Sequence, residues 1–244
     1  MIQHSEYEAK LRNAHDKNFL SNSPSMFQEL YFCTREFTML SRERLFDLYL
    51  SVKYAIANKI EGDIVEVGCW GGGAVAVALS TLNNSAQNEN NLIRTVWGFD
   101  TFEGHPEPNA DEVDVWGNNQ LKLFKEFEIR GENWRKSSFD DATQNIRSIC
   151  DNVDNLRLIK GRAEFTVPQS QISKVSILRI YVDWYEPTLI SLQHLYPKVS
   201  PGGVVIVDDY GHHSGSRRAV DEFFGSTHPK YTHIDYSCIS FVKV

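Results

Sequence analysis

An α/β fold with an open, largely parallel sheet is what this sequence predicts, and two observations carry that expectation. The first is an elbow: the short apolar strand Ile64-Val65-Glu66-Val67 runs through Gly68 into Gly71-Gly72-Gly73 and then into the small, apolar series Ala74-Val75-Ala76-Val77-Ala78-Leu79. Buried parallel strands read as apolar runs, and glycine lets a chain turn where a side chain would collide with a ligand. Such a turn presents backbone N–H groups at a helix start, which suits a cofactor. The second observation is the recurrence of apolar strands that end in a carboxylate: Val96 to Asp100, Ile177 to Asp183, and Val204 to Asp208-Asp209. Open α/β sheets bind their ligands at those carboxyl ends.

Composition bounds the rest. A chain of 244 residues, 41% hydrophobic and 23% charged, suits one large α/β domain with an accessory segment. Residues 1–60 read as an N-terminal arm or lid with helices, and residues 61–244 as the cofactor-binding domain with an insertion at about 103–150. A formal net charge of −7, with no basic face apparent in the sequence, argues against nonspecific nucleic-acid binding. Cys33, Cys69, Cys150 and Cys238 lie too far apart for a metal or disulfide spacing, which fits a reducing cytoplasm. No signal-peptide core opens the chain and no run reaches membrane-spanning length, so no membrane partner is expected.

Taken in order, residues 1–35 are polar with scattered aromatics, broken at Ser21-Asn22-Ser23-Pro24-Ser25, and read as a mobile arm or lid. Ser41 is placed to cap a helix in which Leu45, Leu48, Tyr49, Val52 and Ala55 or Ile56 recur at helical spacing. The elbow follows, then an exposed polar loop at 83–91. The strand Val96–Asp100 places Asp100 to accept hydrogen bonds from two ribose hydroxyls, with a plain strand-end or capping carboxylate as the alternative.

The segment from Glu103 to Cys150 carries Trp116, Phe124, Phe127, Trp134 and Phe139 among charges. It reads either as an insertion over the strand ends or as two packing helices, about 118–128 and 140–151. A third strand, Leu156–Gly161, leads to Arg162 and Ala163, in a position suited to adenine contacts. The fourth strand, Ile177–Asp183, precedes a helix ending near Tyr196-Pro197. Gly202-Gly203 opens a fifth, and Tyr231–Tyr236 with Ile239–Val244 read as a closing pair of alternating strands. A pair of like charges such as Asp208-Asp209 at a strand end is easier to explain by a cation or polar ligand than by stability of the fold.

The dinucleotide fingerprint fails, because Trp70 stands where its second glycine belongs. The pattern Glu66-x-Gly68-x-x-x-Gly72 instead resembles the first motif of class I S-adenosylmethionine methyltransferases. With Phe37–Leu45, Asp100-Thr101-Phe102-Glu103-Gly104, Tyr185-Glu186-Pro187-Thr188, Leu195-Tyr196-Pro197-Lys198, Pro201-Gly202-Gly203, Asp208-Asp209-Tyr210 and Arg217-Arg218-Ala219-Val220, the chain resembles the macrocin O-methyltransferase family from about Phe37 to Phe224.

That resemblance implies a Rossmann-like seven-stranded sheet, mostly parallel with the last strand antiparallel, flanked by helices. It also implies S-adenosylmethionine as methyl donor, magnesium as a further cofactor, and a hydroxyl of a sugar, nucleotide-sugar or natural-product small molecule as acceptor. Thr38, Met39, Glu66, Gly68, Cys69, Trp70, Asp100, Thr101, Arg162, Ala163 and Asp183 fall at cofactor-binding positions. The metal positions fall on Asp183, Asp208 and Asp209, while Tyr181 stands where the family pattern has a further aspartate; a neutral phenol weakens such a site.

Methyl transfer from a sulfonium is an in-line displacement that needs a positioned base for the attacking hydroxyl. Asp183 is the candidate, with His212 and His213 as alternative bases or plain surface histidines. Tyr181 also motivates a noncatalytic binding protein as an alternative, whereas Trp70 argues against a nucleotide-sugar oxidoreductase. The aromatic-bearing N-terminal and middle segments point to a homo-oligomer.

Overall fold

The computed structural model describes residues 18–86, 94–132 and 136–244, so residues 1–17, most of the polar loop and Trp134 lie outside the described residues. Seven strands form one sheet: β1 (Asp63–Val67), β2 (Val96–Asp100), β3 (Leu156–Lys160), β4 (Val175–Ile180), β5 (Val199–Val207), β6 (Thr232–His233) and β7 (Ile239–Val242). Their order is β3-β2-β1-β4-β5-β7-β6. The first five run parallel, and β7 pairs antiparallel with both β5 and β6.

Because successive side chains on a strand face opposite ways, each central strand feeds two cores. Ile64, Ile177 and Ile206 pack with the layer made by α1 (Ser25–Thr34), α2 (Arg42–Ala57), α3 (Gly73–Ala86) and α5 (Phe139–Ile149). Val65, Leu178 and Val205 face the other layer, with α6 (Ala163–Thr166), α7 (Tyr185–Leu195) and α8 (Ser214–Phe224). Helix α4 (Gln120–Ile129) buries little beyond Gln120. The strand order reverses between β1 and β4, and the crevice of an open sheet opens at that reversal.

Ser41 caps α2 by accepting from the Arg44 N–H. The expected arm at 1–35 is corrected over 25–34, where α1 is a packed helix. Pro24 sits at its N-cap position, so the Ser-Pro-Ser break starts this helix and does not interrupt it. Phe27, Leu30 and Tyr31 then recur at helical spacing and are buried, with the Phe27 ring tilted against Phe46 and Tyr49 of α2. In the segment 103–150 both helices form, and the stretch before them straps the strand ends. Glu112 accepts from the Tyr185 N–H at the start of α7, and Asp114 bridges to His213 at the start of α8.

Candidate functional site

A pocket opens at the carboxyl ends of β1, β2 and β4 and is lined by Met39, Gly68, Trp70, Asp100, Thr101, His105, Arg162, Ala163, Tyr181 and Asp183 among others. The elbow shapes it. Gly68 has φ +88°, and a Cβ there would come within 1.8 Å of the Tyr181 carbonyl oxygen, so only glycine lets β1 and β4 close up at this point. Asp100 holds the turn from the neighbouring strand. Its Oδ2 accepts from the Cys69 N–H at 3.0 Å and the Trp70 N–H at 2.8 Å, and its Oδ1 accepts from the Phe102 N–H at 2.8 Å. Trp70 is thereby kept at φ +43°, which an L-residue adopts only under such constraint. Thr101 Oγ1 also lies 3.4 Å from Asp100 Oδ1, but its one hydrogen has a closer acceptor in the Gly104 carbonyl at 2.6 Å; of the about four lone-pair sites of the carboxylate, one is thus left for a donor from a ligand.

Three positions expected at the cofactor do not line the pocket. Thr38 turns its hydroxyl back to accept from the Leu40 N–H. Cys69 offers its backbone to Asp100, while its thiol is buried and pushed well up by that burial, next to Asp100 and Glu66. Glu66 is corrected most fully. Strand pairing sets Glu66 opposite Arg179, and parity turns both toward the α2 layer. There the Arg179 guanidinium, 1% exposed, donates to both Glu66 and Asp208. Arg44 extends the network from α2 with contacts of 3.4 Å to Asp208 Oδ1 and 2.6 Å to Asp235 Oδ2. Burial raises the Glu66 and Asp208 carboxyls while Arg179 pulls both back down. Such a set holds strand ends and a helix together, and neither Glu66 nor Asp208 is among the residues that line the pocket.

Beyond β4 the chain does something unusual. Asp183 has φ +61°, and the Trp184 N–H donates to the Val182 carbonyl at 2.6 Å, closing a tight turn about Asp183. A non-glycine residue in this conformation costs on the order of 1–3 kcal/mol and recurs at functional sites. The turn drives the Asp183 carboxylate into the pocket floor. Two imidazoles meet it: His105 Nε2 and His213 Nε2 each lie 3.3 Å from Asp183 Oδ2. Trp184 packs against both rings, at 5.2 Å from His105 and 5.3 Å from His213, and its Nε1 donates to the Pro106 carbonyl. His213 Nδ1 is buried without a partner, so its hydrogen belongs on Nε2, where it can be donated to Asp183.

Asp209, also buried, hydrogen-bonds Asp183; burial first, and then the Asp183 charge and that bond, hold its carboxyl well above the usual range. The two carboxylates therefore titrate as a pair and not independently. His212, by contrast, leans on Tyr236, whose hydroxyl lies 3.1 Å from its Nδ1. His105 was not among the expected residues, although it directly follows the Asp100–Gly104 motif.

The donor set can accommodate a divalent cation in number and spacing. One ligand atom each from Asp183, Asp209 and His213 lies within 4.8 Å of the others, and Asp209 Oδ2 is buried with no partner among the described residues. Asp208 is corrected as a ligand, since its oxygens are taken by Arg44 and Arg179. Two carboxylates and an imidazole depart from the all-oxygen shell that magnesium prefers.

A family model described as Macrocin-O-methyltransferase (TylF) matches residues 9–243. The chain is 31% identical over 215 residues to the demethyldecarbamoylnovobiocin O-methyltransferase of Streptomyces niveus, covering 86% of this chain and 78% of that one. It is 30% identical over 188 residues to an 8-demethyl-8-(2,3-dimethoxy-alpha-L-rhamnosyl)-tetracenomycin-C 4'-O-methyltransferase of Streptomyces olivaceus, covering 77% and 67%. Among solved structures, the O-methyltransferase NovP superposes with a TM-score of 0.71 at 30% identity, over 85% of this chain and 82% of that one. The calicheamicin methyltransferase CalS11, at 18% identity and a TM-score of 0.65, shares the fold.

Proposed function

The chain belongs to the macrocin O-methyltransferase family and is an S-adenosylmethionine-dependent O-methyltransferase; from that premise we propose that it methylates a hydroxyl of a sugar-bearing small molecule, with Asp183 as the base. The observation that carries this reading is the Asp183 carboxylate, forced into the pocket floor by a strained turn and faced by two imidazoles. The donor would lie across the strand ends, with a ribose against Asp100 and the adenine beside Arg162 and Ala163. Relatives named for sugar and natural-product acceptors support a glycosidic acceptor.

In the reaction the acceptor oxygen attacks the methyl carbon in line with the departing sulfur. An O–C bond forms, the C–S bond breaks with its electron pair returning to sulfur, and the hydroxyl proton passes to Asp183. Nε2–H groups of His105 and His213 hold the carboxylate in place and aim it. A divalent cation, were one to bind, would be held by Asp183, Asp209 and His213 and would supply Lewis acidity toward the acceptor oxygen.

Among the described residues no helix is long and apolar enough to cross a membrane. With four free cysteines, a reducing cytoplasm is part of the same proposal. The test is incubation with S-adenosylmethionine and a panel of glycosides, read by mass spectrometry. A product heavier by one CH2, with S-adenosylhomocysteine formed in equal amount, is the expected result; tight S-adenosylhomocysteine binding without any methylated product would point to the binding protein that Tyr181 raises as an alternative.

A further inference from the structure

We propose that Trp116, His212 and Tyr236 form a stacking platform for a second ring of the acceptor, the part that lies beyond the sugar whose hydroxyl is methylated; this rests on the acceptor reading above. Trp116 is 72% exposed and Tyr236 62%, and both rings meet the same histidine. Trp116 stands 5.0 Å from His212 and Tyr236 5.7 Å from it, each nearly perpendicular to the imidazole. His212 in turn lies 4.5 Å from His213, whose Nε2 faces Asp183. The aromatic cluster is thus joined to the base through one dipeptide, exposed at Trp116 and Tyr236 and buried at His213.

The backbone that carries the exposed indole is fixed. Asp114 Oδ1 accepts from the Trp116 N–H at 3.0 Å and from the Asn118 N–H at 2.9 Å, and Asp114 also bridges to His213. The strap is fastened again where Val113 N–H donates to Ser214 Oγ and Ser214 N–H to the Val113 carbonyl. A large ring with only two side-chain torsions, carried on a fixed backbone, gains contact area on binding at little entropic cost.

Distance selects the occupant. Two ring contacts, of 5.0 Å and 4.5 Å, separate Trp116 from the histidine beside Asp183, which sets it one ring further out than His212. A single sugar that offers its hydroxyl to Asp183 ends short of the platform, and a ring attached to that sugar reaches it. The ring needs a flat or C–H-lined apolar face, which both an aromatic aglycone and a second sugar supply.

The experiment compares paired methyl, nitrophenyl and disaccharide glycosides as acceptors for the parent, Trp116→Ala and Trp116→Phe. Expected is a KM about tenfold lower for the two-ring acceptors than for the methyl glycoside in the parent, a preference erased in Trp116→Ala and partly kept in Trp116→Phe. Nitrophenyl and disaccharide members distinguish an aromatic from a sugar partner. If Trp116→Ala raises KM equally for all acceptors or for none, the platform is overturned. The same holds if its effect is instead a lower mass in light scattering, because the patch is then a contact between copies of the chain. If no glycoside is methylated while S-adenosylhomocysteine still binds, the acceptor reading fails and takes the platform with it.

Discussion

Glu66 of β1 and Arg179 of β4 stand opposite one another in register, and their side chains form a buried ion pair that Asp208 of β5 shares. Removing the cation would leave two buried carboxylates facing each other. Arg179→Met should therefore cost about 3 to 5 kcal/mol, a fall of roughly 10 °C in Tm for a domain of this size. Glu66→Gln should destabilise less while leaving S-adenosylhomocysteine affinity within about threefold, because Glu66 does not reach the pocket. Differential scanning fluorimetry and titration calorimetry on the two variants check both halves; a large affinity loss in Glu66→Gln would restore it to the cofactor site.

Asp47 of α2 gives a pH dependence. Burial raises its carboxyl to about 6 from an ordinary 3.8, with Asp208 adding to the rise and Ser240 and Arg179 opposing it. The folded state therefore holds the proton more tightly than the unfolded chain. Its contribution is most favourable below the unfolded value, is lost as pH rises through about 6, and stays lost above. Asp47→Asn should accordingly be more stable than the parent by roughly 2 kcal/mol near neutral pH, with the gap closing toward pH 4. Urea denaturation at several pH values reads this directly, and a gap that widens on acidification would contradict it.

Asp100 is asked to do two things, cinching the elbow and leaving a lone pair for a ribose hydroxyl. Asp100→Ala should lower S-adenosylhomocysteine affinity by tenfold or more, since losing a hydrogen bond to a charged group costs about 1.5–3 kcal/mol. Calorimetry with unchanged affinity would remove Asp100 from the cofactor site.

These residues also show what the sequence made legible. The elbow, the carboxylate-ended strands and the capping Ser41 follow from local rules, and the seven-stranded, mostly parallel sheet and the family follow from the series of motifs. The fate of Glu66 was written in strand parity: it alternates with Val65 and Val67, so it points into the layer where Arg44 and Arg179 lie. What motif spacing could not convey is the partner. Asp208 and Asp209 are neighbours in sequence, yet one is held by two guanidinium groups and the other by Asp183. His105 comes to Asp183 across 78 residues through a strap whose path depends on Glu112 and Trp184, which no periodicity encodes.

Assembly can be tested simply. Phe32 of α1 and Leu50 and Tyr54 of α2 are 39–54% exposed on the helices outside the sheet. Covering them in a homodimer is the expected arrangement, and light scattering should give about twice the 27.9 kDa of one chain. A mass of one chain at micromolar concentration would end the proposal.

The last prediction ranks the base against the cation. Tyr181 leaves no carboxylate at that position, Asp208 is committed to Arg44 and Arg179, and Asp183 is nonetheless held by Asp209 and two imidazoles. A positioned base contributes about 10²–10⁴-fold, so Asp183→Asn should lose most turnover while S-adenosylhomocysteine affinity stays within about threefold. His105→Ala should cost roughly tenfold in kcat, because the carboxylate then keeps one imidazole in place of two. A chelator should do less harm than either variant. If chelation abolishes methylation and a divalent cation restores it, Asp183, Asp209 and His213 hold a working ion and the ranking is reversed. If Asp183→Asn keeps full activity, the proton goes elsewhere, and His105, which shares the pocket, becomes the first residue to replace.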